Sequence, residues 1–352
     1  MTRVSRRAFA AGSAAALAAV LAACSAESDG AAPADGTAGS AAGGAADGTG
    51  TTTIEHAFGT TEIPATIDVV TTVAWANHEV PLALGVVPAG MAAANFGDDD
   101  SNGLLPWVEA ALEELGAEAP VLFDESDGID FEGVADTSPS VILAGYSGLT
   151  QEDYDTLSEI APTIPFPEIA WGTPWREMIQ VNAAGMGRAE DGDALIAELE
   201  GQIAQAVEKH PAIAGTSVMF LTHVDTTDLS TVSFYTAHDT RTMFFEDLGM
   251  TIAQSVKDAS VDAAEFSSSI SAENADVFDD VEIIVTYGDE ALVAALEADP
   301  LLSQMPAVRN GAVVHLPGDS PLGTAANPTP LAIPYILEDY LAELERAASA
   351  AK

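Results

Sequence analysis

One long amphipathic run, Asp193 to Lys209, constrains this chain more than any other feature, because a set of alternating strand-like and helix-like segments lies on each side of it. Leu195, Ile196, Leu199, Ile203 and Val207 recur there at helical spacing, and His210-Pro211 ends the run. On its N-terminal side, Asp68 to Val73, Gly85 to Gly90 and Val141 to Ala144 read as strands, and Pro106 to Leu115 reads as a helix stopped by Gly116. On its C-terminal side, Ser217 to Leu221, Glu282 to Thr286 and Gly311 to Leu316 read as strands. Thr240 to Leu248, Ala291 to Ala298 and Leu331 to Ala348 read as helices. Such alternation predicts an α/β architecture with two lobes, each built on a central, mostly parallel sheet and joined by one long linker helix. The expected boundaries are 54–190 for the first lobe, 191–210 for the linker helix and 211–352 for the second lobe.

Residues 1–23 read as a signal peptide and are set aside from the fold. Arg3, Arg6 and Arg7 make a basic start, and the apolar stretch Ala8 to Val20 is shorter than the about 20 residues that a membrane-spanning helix needs. Ser5-Arg6-Arg7-Ala8-Phe9 is similar to a twin-arginine export signal. Leu21-Ala22-Ala23-Cys24 is similar to a bacterial lipobox, in which cleavage before the cysteine leaves its thiol to carry a lipid. Cys24 is the only cysteine, so no intramolecular disulfide can form. Residues 24–53 are then the lipidated cysteine and a flexible tether, since Ala, Gly, Ser, Thr and Asp supply too little apolar surface to order the chain. The expected location is the outer face of the cell membrane.

Removing the three arginines of the leader leaves eight Lys and Arg against 55 Asp and Glu, a formal charge of −47. A field of that sign repels nucleic acid and anionic lipid headgroups and keeps an exported chain soluble. It does not imply disorder, because 48% of the residues are hydrophobic and many fall in periodic runs.

Several short segments carry a resemblance to a known family. They are Ile63-Pro64, Ala76-Asn77-His78-Glu79, Leu82 to Gly90, Asp130-Phe131-Glu132 before Pro139 to Leu143, and Ile160 to Thr163. Later come Asp276 to Tyr287, Val308 to Val313 and Ser320-Pro321-Leu322. In this order and spacing, with the lipobox, the chain from about residue 54 to 349 resembles the helix-linked (class III) periplasmic-binding-protein family, which serves siderophores, haem and cobalamin. The resemblance implies an extracellular lipoprotein that captures a ferric siderophore between its lobes and hands it to an ABC transporter permease, with a monomer suiting the role. It also implies one permease-docking glutamate per lobe, Glu132 and Glu273 by position.

Ligands of open α/β sheets sit beyond the carboxyl ends of the strands. The expected contacts on the first lobe are therefore Trp75, Asn77, His78, Asn95, Phe96, Tyr146, Ser147 and Trp171, with Trp175 near the linker. On the second they are His223, Tyr235, Arg241, Ser267, Ser268, Tyr287 and Ser320. Aromatic side chains offer a bulky chelate rigid contact area with a polar tip. Only Arg176, Arg188, Arg241, Arg309 and Arg346 follow the leader, too few for a multiply anionic catecholate, so a hydroxamate chelate is the expected ligand. Haem or cobalamin is the alternative, and His78, His223 or Tyr287 would supply an axial ligand to haem.

Two other readings compete. Asp98 to Glu109 matches a calcium-loop pattern, with Asp98, Asp100, Asn102 and Glu109 as oxygen donors and Gly103 at the turn; the same residues also read as a solvated loop in which Pro106 starts a helix. Gly145-Tyr146-Ser147-Gly148 falls one residue short of a nucleophile elbow, His78-Glu79 lacks the second histidine of a zinc protease, and the six histidines are scattered. A secreted hydrolase is the reading these features disfavour; a binding protein without a cofactor is the expectation.

Overall fold

The computed structural model describes residues 51–261, 265–318 and 320–352. The leader, Cys24 and the tether up to residue 50 lie outside the described residues. Among the described residues no helix is long and apolar enough to cross a membrane.

An antiparallel hairpin of β1 (Thr52–His56) and β2 (Gly59–Ile63) opens the fold and buries Ile54 and Ile63. It starts at Thr52, two residues inside the segment read from composition as tether. Next come β3 (Val70–Thr72), α1 (Glu79–Ala83), β4 (Gly90–Ala92), α2 (Pro106–Leu115), β5 (Val121–Phe123) and α3 (Phe131–Asp136). Then follow β6 (Val141–Leu143), α4 (Gln151–Ile160), β7 (Thr163–Ile164) and α5 (Trp175–Gly185). The five strands β3 to β7 make an all-parallel sheet in the order β5-β4-β3-β6-β7. The chain runs outward from β3 to β5 and then returns to the other side of β3 for β6, so the order reverses between β3 and β6. A crevice opens at the carboxyl ends of strands at such a reversal.

The strand expected at Gly85 to Gly90 is displaced to Gly90–Ala92. The amides of Gly85 and Val86 close α1 by donating to the carbonyls of Leu82 and Pro81, and Pro88 has no N–H to give. The ladder can begin only at Ala89, whose N–H reaches the Val70 carbonyl.

Helix α6 (Ala189–Val207) follows; at 19 residues it is roughly 28 Å long. One face is buried through Gly192, Ile196, Leu199, Ile203 and Ala206. The remaining elements are β8 (Ser217–Leu221), β9 (Thr231–Tyr235), α7 (Thr240–Asp247), β10 (Thr251–Ile252), α8 (Gln254–Ser260) and β11 (Ser267–Ser271). After them come β12 (Ile283–Tyr287), α9 (Glu290–Ala298), α10 (Pro306–Arg309), β13 (Val313–Leu316), α11 (Pro321–Thr324) and α12 (Ala332–Ala350). Strands β10, β8, β12 and β13 are parallel, and β9 with β11 extends the sheet as an antiparallel edge. Of that pair, β11 left no sequence signal, because Ser267-Ser268-Ser269-Ile270-Ser271 has no apolar alternation, whereas Val232 and Phe234 do alternate in β9.

Helix α6 packs against α5 on one side and α12 on the other. A single hydrophobic cluster accordingly runs from Ile63 and Val181 through Ile196 and Leu199 to Ile336 and Leu341. Each sheet also buries a second cluster of its own, around Ile142 and Phe123 in the first and around Phe234 and Phe278 in the second.

Candidate ligand-binding site

The carboxyl-end loops of the two sheets enclose a cavity of about 290 Å³. From the first sheet it receives Trp75 after β3, Asn95 and Phe96 after β4, Tyr146 after β6 and Trp171 after β7. The second sheet contributes His223 after β8, Tyr235 and Tyr287 at the ends of β9 and β12, and Arg241 in the first turn of α7. Nine residues expected from strand-end position thus meet in one place: parallel strands deliver their carboxyl ends to one edge, and antiparallel β9 overlaps β8 only where Phe234 faces Leu221, which brings Tyr235 there as well.

Phe266, Thr324 and Asn327 complete the lining and were not anticipated. Phe266 stands just before a serine-rich strand and stacks near Tyr235, with centroids 6.4 Å apart. Asn327 lies between α11 and α12 and links the two sheets. Its amide donates to the Tyr146 hydroxyl at 3.2 Å, and its carbonyl accepts from the Thr240 hydroxyl at 2.8 Å. A lone asparagine in the apolar stretch Ala325-Ala326-Asn327-Pro328 was the only available hint.

Seven expected contacts sit elsewhere. Asn77 is fully buried and acts as a strut: it donates to the carbonyls of Val73 and Tyr146, both at 2.8 Å, and accepts from the Tyr146 N–H at 2.9 Å and the Asn182 amide at 3.0 Å. His78 is buried at the start of α1, and desolvation lowers its pKa to about 4. The Ser147 hydroxyl is buried without a partner, and Ser268 lies along β11, paired with Phe234. Ser267 also lies on β11, paired with Tyr235, and Ser320 caps α11; none of these six residues lines the cavity. Trp175, at the start of α5, is buried and donates its indole N–H to Asp247 at 2.8 Å.

Aromatic rings form most of the wall. Trp171 meets Tyr146 edge-on at 5.4 Å, and Phe96 does the same to His223 at 5.8 Å and to Tyr287 at 6.2 Å, joining the loops of both sheets. His223 stacks on Tyr287 at 4.7 Å. Trp171 has a backbone φ of 59°, held by its N–H donating to the Ser147 carbonyl at 2.9 Å. Its indole lies so close to Gly148 that a Cβ there would stand 2.1 Å from the ring nitrogen.

Arg241 is the one cation in the lining. It donates from Nη1 to Asp239 at 2.8 Å and from Nε to the Tyr287 hydroxyl at 3.2 Å, and its guanidinium carbon lies 4.1 Å from the centroid of the Tyr235 ring. Burial opposes the Arg241 charge, but the adjacent Asp239 carboxylate outweighs it, so the group stays protonated. Burial also raises the pKa of the Tyr146 and Tyr287 hydroxyls and keeps them neutral. The other arginines are engaged elsewhere. Arg176 pairs with Glu200 and Asp247, Arg188 with Asp191 and Arg346 with Glu343, while Arg309 reaches the Gln304 carbonyl.

The site is therefore a mainly apolar cup with phenolic hydroxyls, two side-chain amides and a single fixed positive charge. A model of the periplasmic binding protein family matches residues 70–320. The chain belongs to that family. Periplasmic binding proteins solved before include two structures of PiaA from Streptococcus pneumoniae TIGR4. The one in complex with ferrichrome is 42% identical, covers 85% of this chain and 99% of that one, and has a TM-score of 0.82. The other, described as an iron uptake ABC transporter substrate-binding protein, is 41% identical over the same shares with a TM-score of 0.78. A periplasmic solute binding protein from Mycobacterium smegmatis is 25% identical, again over 85% and 99% of the two chains, with a TM-score of 0.66. No curated protein matches the chain.

Two further expectations concern residues outside the cavity. Glu132 and Glu273 are exposed in the first turns of short helical segments on opposite halves, behind the caps Asp130 and Ser271. In the loop before α2, the Asn102 amide donates to Asp100 at 3.0 Å and Glu109 at 2.7 Å, while Asp98 accepts from the N–H groups of Ser101 and Gly103. The loop holds itself with these bonds, and Pro106 opens the helix. Among the described residues, no group of three or more His, Cys, Asp or Glu is placed to hold a metal ion.

Proposed function

We propose that this chain is the substrate-binding component of an ABC importer and captures a ferric siderophore, preferably a hydroxamate chelate, in the cavity between its two sheets. The observation that carries the reading is the lining itself: rings from both sheets around one guanidinium. Rings provide the contact area that a compact, largely apolar chelate needs, and phenolic and amide tips meet its polar edge. A tris-catecholate bears several negative charges and would call for several cations, whereas a ferric trihydroxamate is neutral at the metal and is served by one. The 42% identity to PiaA, a protein solved with ferrichrome, supports the same class.

The role assigns the remaining features. Cys24 would carry the lipid that holds the protein at the outer face of the membrane, with export by the twin-arginine route. Glu132 and Glu273, one on each half, would enter basic pockets of the permease, and the protein would work as a monomer without enzymatic activity.

Titration of the protein with ferrichrome-type and ferrioxamine-type chelates, a ferric catecholate, haem and cobalamin, followed by tryptophan fluorescence, tests the proposal. Of the four tryptophans, Trp75 and Trp171 line the cavity, while Trp107 and Trp175 are buried away from it. Saturable quenching by a hydroxamate at sub-micromolar concentration, abolished in large part by Trp171→Phe, is the expected result. Preference for the catecholate would overturn the ligand class. A Soret shift with haem and silence with every chelate would replace the siderophore with haem.

A further inference from the structure

A second compartment of about 360 Å³ opens beside the first and shares Trp75, Asn95 and Trp171 with it. Each lies near the lower end of the about 300–1,000 Å³ range of ligand pockets, so a chelate with an extended arm would occupy both. The second compartment belongs to the first sheet alone. Its apolar lining includes Ala74 after β3, Ala92 and Ala93 at the end of β4, and Leu149 before α4. Its polar lining differs from that of the first cavity: it carries two carboxylates, Glu125 and Asp153, and no lysine or arginine.

Glu125 stands in the loop after β5. Its Oε2 accepts the Ala74 N–H at 2.9 Å, while Oε1 is shielded from solvent and has no hydrogen-bond partner. Burial, with Asp130 adding to it, raises the Glu125 pKa to about 7, and only the Ala74 N–H opposes the shift. The Asp153 carboxylate is partly committed to capping α4, where its Oδ2 takes the N–H and hydroxyl of Thr150. A partly desolvated carboxylate in the wall of a compartment without a lysine or arginine is complementary to a group that brings both a proton and a positive charge.

Building on the siderophore reading, we propose that this side compartment recognises a cationic arm of the ligand, with Glu125 receiving a primary ammonium group on a chain that passes between Trp75 and Trp171. The aromatic pair would grip the methylenes of such an arm, and the carboxylate would select its terminus. Among hydroxamate chelates, those that carry a free amine are thereby preferred.

The test compares ferrioxamine B, whose arm ends in a primary amine, with its N-acetylated form, which keeps the chelate and loses the charge. Binding is measured at pH 7.5 and 150 mM salt, where the long-range field of the acidic chain is screened beyond about 8 Å. Wild-type protein is expected to prefer the amine by about tenfold. Glu125→Gln, which keeps an oxygen for the Ala74 N–H, is expected to bring that ratio close to one. A wild-type ratio near one overturns the inference without any variant, and so does a ratio that Glu125→Gln leaves unchanged. If ferrichrome-type chelates bind while the ratio stays near one, the siderophore reading stands and the cationic subsite falls. If no chelate binds at all, both fall.

Discussion

Asp239 and Arg241, two residues apart at the start of α7, form a 2.8 Å ion pair in which the aspartate side chain is entirely buried and the arginine side chain, part of the cavity lining, retains 15% exposure. The backbone N–H of Arg241 also donates to Asp239, so one acid caps the helix and fixes the direction of the only cation in the lining. Removing one member of such a pair leaves the other desolvated and uncompensated. Arg241→Met is expected to cost about 3–5 kcal/mol, and adding Asp239→Asn to it should recover a large part of that loss. Urea melts of both single variants and the double variant measure the coupling. Strict additivity would mean that the pair is not what holds this corner.

Gly148 and Trp171 give a second expectation. With a Cβ at position 148 only 2.1 Å from the indole nitrogen, Gly148→Ala must move the ring or the loop. Overpacking of this kind costs about 1–3 kcal/mol. The more telling readout is chelate affinity, expected to fall about tenfold or more because the displaced indole is part of the cavity wall. Unchanged affinity in a folded Gly148→Ala protein would remove Trp171 from the site.

Asn77 makes a third case, since its position in the sequence suggested ligand contact and its surroundings make it a fastener between the β3 and β6 loops and α5. Four close hydrogen bonds, each worth about 1 kcal/mol net, end on a side chain with no exposure. Asn77→Ala should therefore lose about 3–4 kcal/mol of stability, visible as a lower urea midpoint. A loss under about 0.5 kcal/mol would contradict the role.

The buried His78 fixes a fourth expectation with a definite sign. Its pKa is lowered from about 6.5 to about 4 by desolvation, so the folded chain binds this proton more weakly than the unfolded chain. The associated stability is complete above pH 6.5 and is lost as pH falls through 4. Its full size is at most about 3 kcal/mol. Against wild type, a His78→Gln variant should therefore fare progressively better as the pH drops from 7 to 4, measured as the difference in melting midpoint. Parallel pH curves would rule out His78 as the source.

The sequence by itself determined the elements with strong periodicity. Helix α6, helix α2 between Pro106 and Gly116, strand β8 and the closing helix α12 were readable because apolar spacing and stop signals are local properties. It also determined that aromatic residues at strand ends would converge, since a parallel sheet sends every carboxyl end to one edge. The tertiary structure alone decided which neighbours at those ends face the ligand cavity and which turn inward. Tyr146 faces the cavity and Ser147 beside it does not; Trp75 lines the wall while Asn77 is a strut. Adjacent residues leave the chain in different directions, and the left-handed backbone at Ala74, Ala76 and Trp171 that sets those directions has no one-dimensional signature. Asn327 and Phe266 left little trace for a related reason: Asn327 meets Tyr146 only when the two sheets come together, and Phe266 meets Tyr235 only through the pairing of β11 with β9.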